Sequence, residues 1–470
     1  MQWPISSVPH WHYGWLVKYK QLAATSAGRN IKMDITVYQQ RRQTVLNKIG
    51  EDGIAIIFAA PEQRRSNDTE YPFRQDSYFH YLTGFPEPGA ALILNGREHT
   101  STLLCRNKDP EHEIWNGFRY GYTAAREQFA FDSADDINQW PVLLKQALAG
   151  HRRLFALWGL YPENDPKLIE LWYEIARIAN YRSANGSTIA PDSLVNLASI
   201  LDPMRLIKDK HEQSIMRIAA EISAQAHIRA MQTTHAGQYE YQVEAEILHE
   251  FMQRGARYPS YNSIVAGGKN ACCLHYVSNN CQLQQNDLLM IDAGAEYQMY
   301  AGDISRTFPV SGRFSSAQKD IYDIVLAVNQ ASIASTVKQA NWQNISATAI
   351  SMLTQGLIDL GILHGSLEQN IETQTYWRFY MHGLGHWLGL DVHDVGGRFD
   401  SNEQPILLQA GMVTTIEPGL YISAADDIPQ AFHNIGIRIE DNVLITETGN
   451  EVLTASVPKT TAEIETLMQH

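Results

Sequence analysis

The sequence predicts an α/β domain followed by an α+β domain built as a pseudo-two-fold duplication, and three observations predict it. The chain has 470 residues, more than one core usually holds. From Asp52 to about Ala190 apolar strands alternate with helical stretches, the pattern of a sheet covered by helices. After Asp202-Pro203 the order of two helices and then strands occurs twice.

Residues 1–32 carry Lys18, Lys20, Arg29 and Lys32 and no acid, with Trp3, Trp11, Tyr13 and Trp15 scattered among polar residues. A secretory signal needs a continuous apolar core, which is missing here, so this stretch reads as an extension outside the core. The first domain is then expected over 33–205, opening on the amphipathic helix MDITVYQQRRQTVLNKI. Its strands are expected at Gly53 to Phe58, Ala90 to Leu94 and Leu154 to Leu157. Two polar and aromatic clusters, Tyr71 to Asp76 and Glu113 to Gly117, suit loops that reach toward another site. No nucleophile-base pair or phosphate loop accompanies them, so this domain is read as supportive.

The second domain is expected over 206–470. A long helix starts near Lys208 with one apolar stripe, Ile215, Ile218, Ala219, Ile222 and Ala226, and a second runs through Val243, Ile247 and Phe251. In the repeat, Ser315 and Ser316 can cap a helix bearing Ile321, Ile324, Val325 and Val328, and another passes Ile350 and Leu357 to Gly361.

Composition excludes several partners. Thirty-seven Lys and Arg stand against 51 acids, a net charge of −14 with no basic block, so no nucleic acid is expected. No apolar run approaches the ~18 residues of a membrane span. The cysteines, Cys105, Cys272, Cys273 and Cys281, form no regular framework, which points to free thiols in a reducing, cytoplasmic compartment. Cys272, Cys273, His275 and Cys281 lie close together, but their spacing matches no C-x2-C zinc pair.

The chemistry concentrates in Leu288 to Thr307. An apolar run, Leu288 to Ile291, ends in Asp292, and Asp303 follows. A hairpin turning at Tyr297-Gln298 sets the two acids directly opposite, with Cβ atoms about 4.5–5.5 Å apart. Two bare carboxylates that close repel, so a proton or a cation is expected between them. The stretch MHGLGHWLGLDVHDVG adds His382, His386 and His393 among glycines that let backbone approach closely. Another apolar strand ends in Glu417, and IGIRIED puts Arg438 and Glu440 on one face. Glu417 and Glu440 have pairing parity about a loop near Asp427-Ile428-Pro429. Four carboxylates and one imidazole suit two hard or borderline divalent ions such as Mn2+, not a structural zinc.

The ordered set Asp292, Asp303, His386, Glu417 and Glu440 lies in IDAGAEYQMYAGDISRTFPV, HGLGHWLGLDVHD, TIEPGLY and GIRIEDNV. With RYPSYNSIVAGGKNACCLHY ahead of them, these motifs resemble the metallopeptidases of the pita-bread fold. Within that group the chain looks most like bacterial aminopeptidase P, the Xaa-Pro aminopeptidases, from about Met33 to its C-terminus. The resemblance implies a creatinase-like N-terminal domain and a dinuclear site, most readily of Mn2+, with Asp292 on one metal, Asp303 and Glu440 bridging, and His386 and Glu417 on the other. It makes Glu417 the acceptor of the attacking hydroxide's proton, and His275, His382 and His393 the residues that bind substrate and stabilise its tetrahedral intermediate. Arg438 and Tyr421 match pocket positions, and Trp115 and Arg182 match N-terminal-domain residues that line such pockets from a neighbouring subunit of a homo-oligomer, dimer or tetramer. Gly397-Arg398-Phe399 stands where a Tyr-bearing loop is expected. Proline-containing peptides are the implied substrates. A second peptidase reading is prolidase, which shares the metals and takes dipeptides only. A reading of another class is a metal-free pita-bread module that binds proteins; such modules lose ligands, and all five are present here. Methionine aminopeptidases lack so large an N-terminal domain.

Overall fold

Asp34 accepts a hydrogen bond from the Thr36 amide and so starts the helix Ile35–Ile49. The computed structural model describes residues 34–182, 189–400 and 402–469, which leaves the leader 1–32 outside the described residues. The helix packs on a six-stranded mixed sheet in the order Ser133–Asp136, Thr100–Cys105, Ala91–Asn95, Gly53–Phe58, Arg153–Ala156 and Ser193–Asn196. Its two inner antiparallel pairs come from consecutive strands, and its outer strands join in parallel. The change of character at Asp202-Pro203 falls inside a helix, Ala198–Leu206, that leads into the second part.

Asp209 then closes a capping box, accepting from the Glu212 amide while the Glu212 side chain accepts from the Asp209 amide, and the helix Lys210–Thr233 begins. It pairs with Glu240–Gln253; the first helix packs on Ala295–Tyr297 and Tyr300–Ala301 and the second on Tyr258–Pro259 and Ile264–Gly267, the last of which forms a sheet with Leu288–Asp292 and Ser305–Pro309. The repeat follows. Ser315 and Gln318 cap Ser316–Ser335, which pairs with Trp342–Asp359 and packs on strands of the second half. One apolar core runs through both halves, from Val243, Ile247 and Phe251 to Ile321, Val325, Leu357 and Ile437.

The first hairpin corrects the expected register. Its turn is Gln298-Met299, both at positive φ, and Asp292 lies opposite Ser305, two residues beyond Asp303. The ladder breaks at Ala293-Gly294 against Gly302 to Ile304, where a Cβ on Gly294 would sit 1.7 Å from Gly302 O. A shift of two keeps the face of every side chain. The second hairpin has the expected register. Ile416 faces Asp441 and Gly419 faces Arg438, so the break at Glu417-Pro418 and Ile439-Glu440 brings Glu417 opposite Glu440. Each half thus carries its acids where a ladder is interrupted, and the halves join where the Glu440 amide donates to Ser305 O at 3.0 Å.

Candidate metal centre

The two interrupted hairpins open on a cleft of about 350 Å³ lined by Asp292, Asp303, His386, Glu417 and Glu440, together with His275, His382, His393 and Arg438. Asp303, His386 and Glu440 bring one ligand atom each within 4.8 Å of one another. His386 is fixed from behind. Its amide donates to Thr415 Oγ1 at 3.0 Å, its carbonyl accepts from the Thr415 amide at 2.9 Å, and Gly385 lies so close to that strand that a Cβ would be 2.0 Å from Thr415 O. Its Nδ1 meets Trp387 O at 3.0 Å, which makes Nδ1 the donor. Nε2 then faces Asp303 Oδ2 at 3.3 Å and Glu417 Oε1 at 3.5 Å.

Charge accumulates here beyond what the protein neutralises. Burial raises Asp303, Glu417 and Glu440 above the ordinary carboxylate range, Glu417 to about 7, against the pull of His386 and Arg438 on Glu417. Burial opposes a charge on His386, but contact with Asp303 and the field of Glu417 outweigh it and lift the imidazole to about 9. Arg438 Nη2 donates to Asp292 Oδ2 at 2.6 Å, and Ser305 Oγ donates to Glu440 Oε2 at 2.7 Å. The chemistry of the set, four carboxylates and an imidazole with no thiolate, fits hard or borderline divalent ions.

Among the other expected site residues, Tyr421 is buried and its hydroxyl accepts from Arg438 Nη1 at 2.9 Å. That hydroxyl donates to His382 Nε2 at 2.8 Å, and His382 Nδ1 to Gly383 O at 2.8 Å, so both His382 nitrogens are engaged. Burial, then Arg438, lowers His382 to about 4. The His393 ring meets His386 edge to face at 4.3 Å between centroids. Trp115 is not brought to this cleft by its own chain. It is 85% exposed on the helix Pro110–Asn116 beside Ile114. The side chain of Arg182 lies outside the described residues.

Two residues were missed from sequence. The Tyr261 hydroxyl lies 2.5 Å from Asp292 Oδ1 and 2.6 Å from Asp303 Oδ1. The signal was the run Ile264-Val265-Ala266, which pairs with the strand ending in Asp292 and carries Tyr261 in just ahead of it. Arg398, in the departing loop, is sandwiched between the rings of Trp342 and Trp387 at 3.5 and 3.9 Å. It donates to Gly385 O and Thr414 Oγ1 at 3.1 and 3.3 Å, bracing the strand behind His386, and burial lowers it to about 9. The four cysteines are free thiols, with Cys105 buried.

Residues 214–447 match metallopeptidase family M24, and residues 38–155 match the aminopeptidase P N-terminal domain. The chain is 47% identical over 444 residues to the Xaa-Pro aminopeptidase of Haemophilus influenzae, covering 92% of this chain and 96% of that protein. Among solved structures it superposes on proline aminopeptidase P II from Yersinia pestis with a TM-score of 0.88 at 46% identity, over 93% of this chain and 99% of that one. The match to Escherichia coli aminopeptidase P in complex with substrate has a TM-score of 0.89 at 42% identity, over 93% and 98%. With its aminopeptidase P N-terminal domain ahead of a pita-bread catalytic domain, the chain belongs to metallopeptidase family M24.

Proposed function

We propose that the chain is a Xaa-Pro aminopeptidase, releasing the N-terminal residue from peptides with proline in second position. The observation that carries this reading is the convergence of Asp292, Asp303, His386, Glu417 and Glu440 in one cleft beside free imidazoles. On this assignment Asp292 would hold one divalent ion, His386 and Glu417 another, and Asp303 and Glu440 would serve both, with Mn2+ the fitting metal. When bound, such ions would polarise the scissile carbonyl and lower the pKa of the attacking water.

The protein's own groups do the rest. Glu417, held by a hydrogen bond from Thr415 Oγ1 at 3.2 Å, takes the proton of the attacking water and passes it to the departing proline nitrogen. Among the described residues His275 and His393 make no hydrogen bond, so both are free to meet the peptide and the charge that develops on its carbonyl. His382 keeps to the chain beyond the proline, giving up its bond to Tyr421 or Gly383 to do so. A proline nitrogen in a peptide bond has no hydrogen to donate, so recognition must come from shape. Leu274, Val277 and Val392 supply apolar wall beside Arg438.

We read the two domains as spanning 33–205 and 206–470. We read the protein as cytoplasmic and homo-oligomeric, Trp115 and Arg182 serving the cleft of a neighbouring copy; among the described residues no helix is long and apolar enough to cross a membrane.

The deciding measurement is kcat/KM for Ala-Pro-Ala, Ala-Pro and Ala-Ala-Ala with Mn2+ supplied. Ala-Pro-Ala is expected to be cut best. Equal cleavage of the proline-free tripeptide removes the specificity, and a clear preference for the dipeptide makes the enzyme a prolidase.

A further inference from the structure

His393 stands in a loop, 389–396, that is held largely by residues from earlier in the chain. Arg205 Nη2 donates to Asp391 Oδ2 at 2.7 Å and to Asp394 Oδ1 at 2.6 Å. Lys208 Nζ donates to Asp394 Oδ2 at 2.9 Å, and the side chains of Arg205, Lys208 and Asp394 are each 1% exposed. From the N-terminal domain, Ser77 Oγ donates to Asp391 Oδ1 at 2.6 Å and Arg74 Nη2 to Leu390 O at 2.6 Å. Arg74, from the cluster Tyr71 to Asp76, thus reaches the loop that carries His393. His393 is bracketed by anchored acids, one two residues before it and one directly after it. The loop closes on itself through the Asp394 amide to Trp387 O at 2.9 Å, and a Cβ on Gly389 would lie 2.2 Å from Asp394 Oδ2.

Ion pairs this deeply buried add little net stability over an apolar replacement, because desolvation offsets their attraction. Their geometry is what they supply. We propose that Arg205, with Lys208 and Ser77, is a positioning residue that sets His393 over the cleft through Asp391 and Asp394. The inference rests on the reading of His393 as a residue that meets the substrate. Displacing such a group by ~1 Å costs up to ~10²-fold in rate. Arg205 Nε and Nη1 are buried without hydrogen-bond partners among the described residues, and the guanidinium lies 4.5 Å from the centroid of the Tyr78 ring. Since Nη2 alone holds both acids, one ammonium group suffices in its place.

The test is a double-mutant cycle on the metal-loaded full chain, reading kcat and KM for Ala-Pro-Ala, metal content and Tm. Arg205→Met is expected to lower kcat up to ~10²-fold with metal content unchanged, and Arg205→Lys to recover most of that loss. On the His393→Ala background, Arg205→Met is expected to cost nothing further, since effects that pass through one group do not add. A loss that multiplies in the double variant overturns the proposal while leaving the role of His393 intact. Wild-type turnover by His393→Ala overturns both. Should Arg205→Met not fold, Ser77→Ala takes its place in the same cycle, and again a multiplied loss overturns the proposal.

Discussion

Tyr261 has one hydroxyl proton and two carboxylates within 2.6 Å of its oxygen, so one of Asp292 and Asp303 meets that oxygen without a hydrogen bond to accept. That imbalance is the residue-level reason to expect a proton or a cation at the acids. Asp303→Ala and Glu440→Ala are therefore expected to lose bound metal and activity together, because each is assigned to both ions. His393→Ala is expected to keep its metal and lose ~10²-fold or more in turnover, as a donor to developing charge is removed. Elemental analysis beside steady-state kinetics checks both; two ions per chain in Asp303→Ala would sink the bridging assignment. Asp292 and Glu417 were legible because each ends an apolar run and interrupts it, and Asp303 and Glu440 because each shares a face with one of them. Arg398 was not, because an isolated Arg in a sequence carries no sign of what it will face, and Tyr261 was signalled only through the strand Ile264–Gly267 that follows it.

Among the elements, the first hairpin shows how much register a sequence carries. The alternation of side chains gave the face of Asp292 and Asp303, and a slip of two residues leaves a face unchanged. It did not give the turn, since Gln298 and Met299 adopt positive φ without the Gly or Asn that favours it, a cost borne by the packing around them. The second hairpin was legible because its parity is fixed at both ends of a long loop. The 389–396 loop makes a prediction about acid. Burial opposes the charge on Asp394, yet Lys208 and Arg205 outweigh it and hold the carboxyl below its ordinary value. A carboxyl depressed in the folded state contributes stability that is complete above the unfolded pKa of ~3.9 and is lost as pH falls through the folded value. Asp394→Asn is thus expected to lower Tm at pH 7, with the gap to wild type narrowing below about pH 4. A gap that stays constant down to pH 3 would contradict it.

At the scale of the whole molecule the two parts share a core. Ile215, Met216, Leu388, Leu390, Val413 and Leu444 of the second part pack in one apolar cluster with Leu46, Phe79 and Leu82 of the first. Arg41 adds a bridge, its Nη2 2.8 Å from Asp209 and 3.2 Å from Glu212. Uncovering each such apolar side chain costs about 1.5–3 kcal/mol, so exposing four of them rivals the ~5–15 kcal/mol that holds a domain folded. Residues 206–470 expressed alone are expected to be insoluble or to melt well below the full chain, and a fragment with the full chain's Tm would refute this. Composition and alternation made the two-part plan readable; the shared face was not, because an apolar residue in a sequence does not name its neighbour. The interrupted hairpins have one more consequence, in time. Asp292 and Glu440 meet in space but leave the ribosome roughly 7–30 s apart at ~5–20 residues per second. Until the second hairpin arrives, the nascent chain offers three of the five proposed ligands, Asp292, Asp303 and His386, and lacks Glu417 and Glu440, so loading with metal must wait for synthesis to be nearly finished.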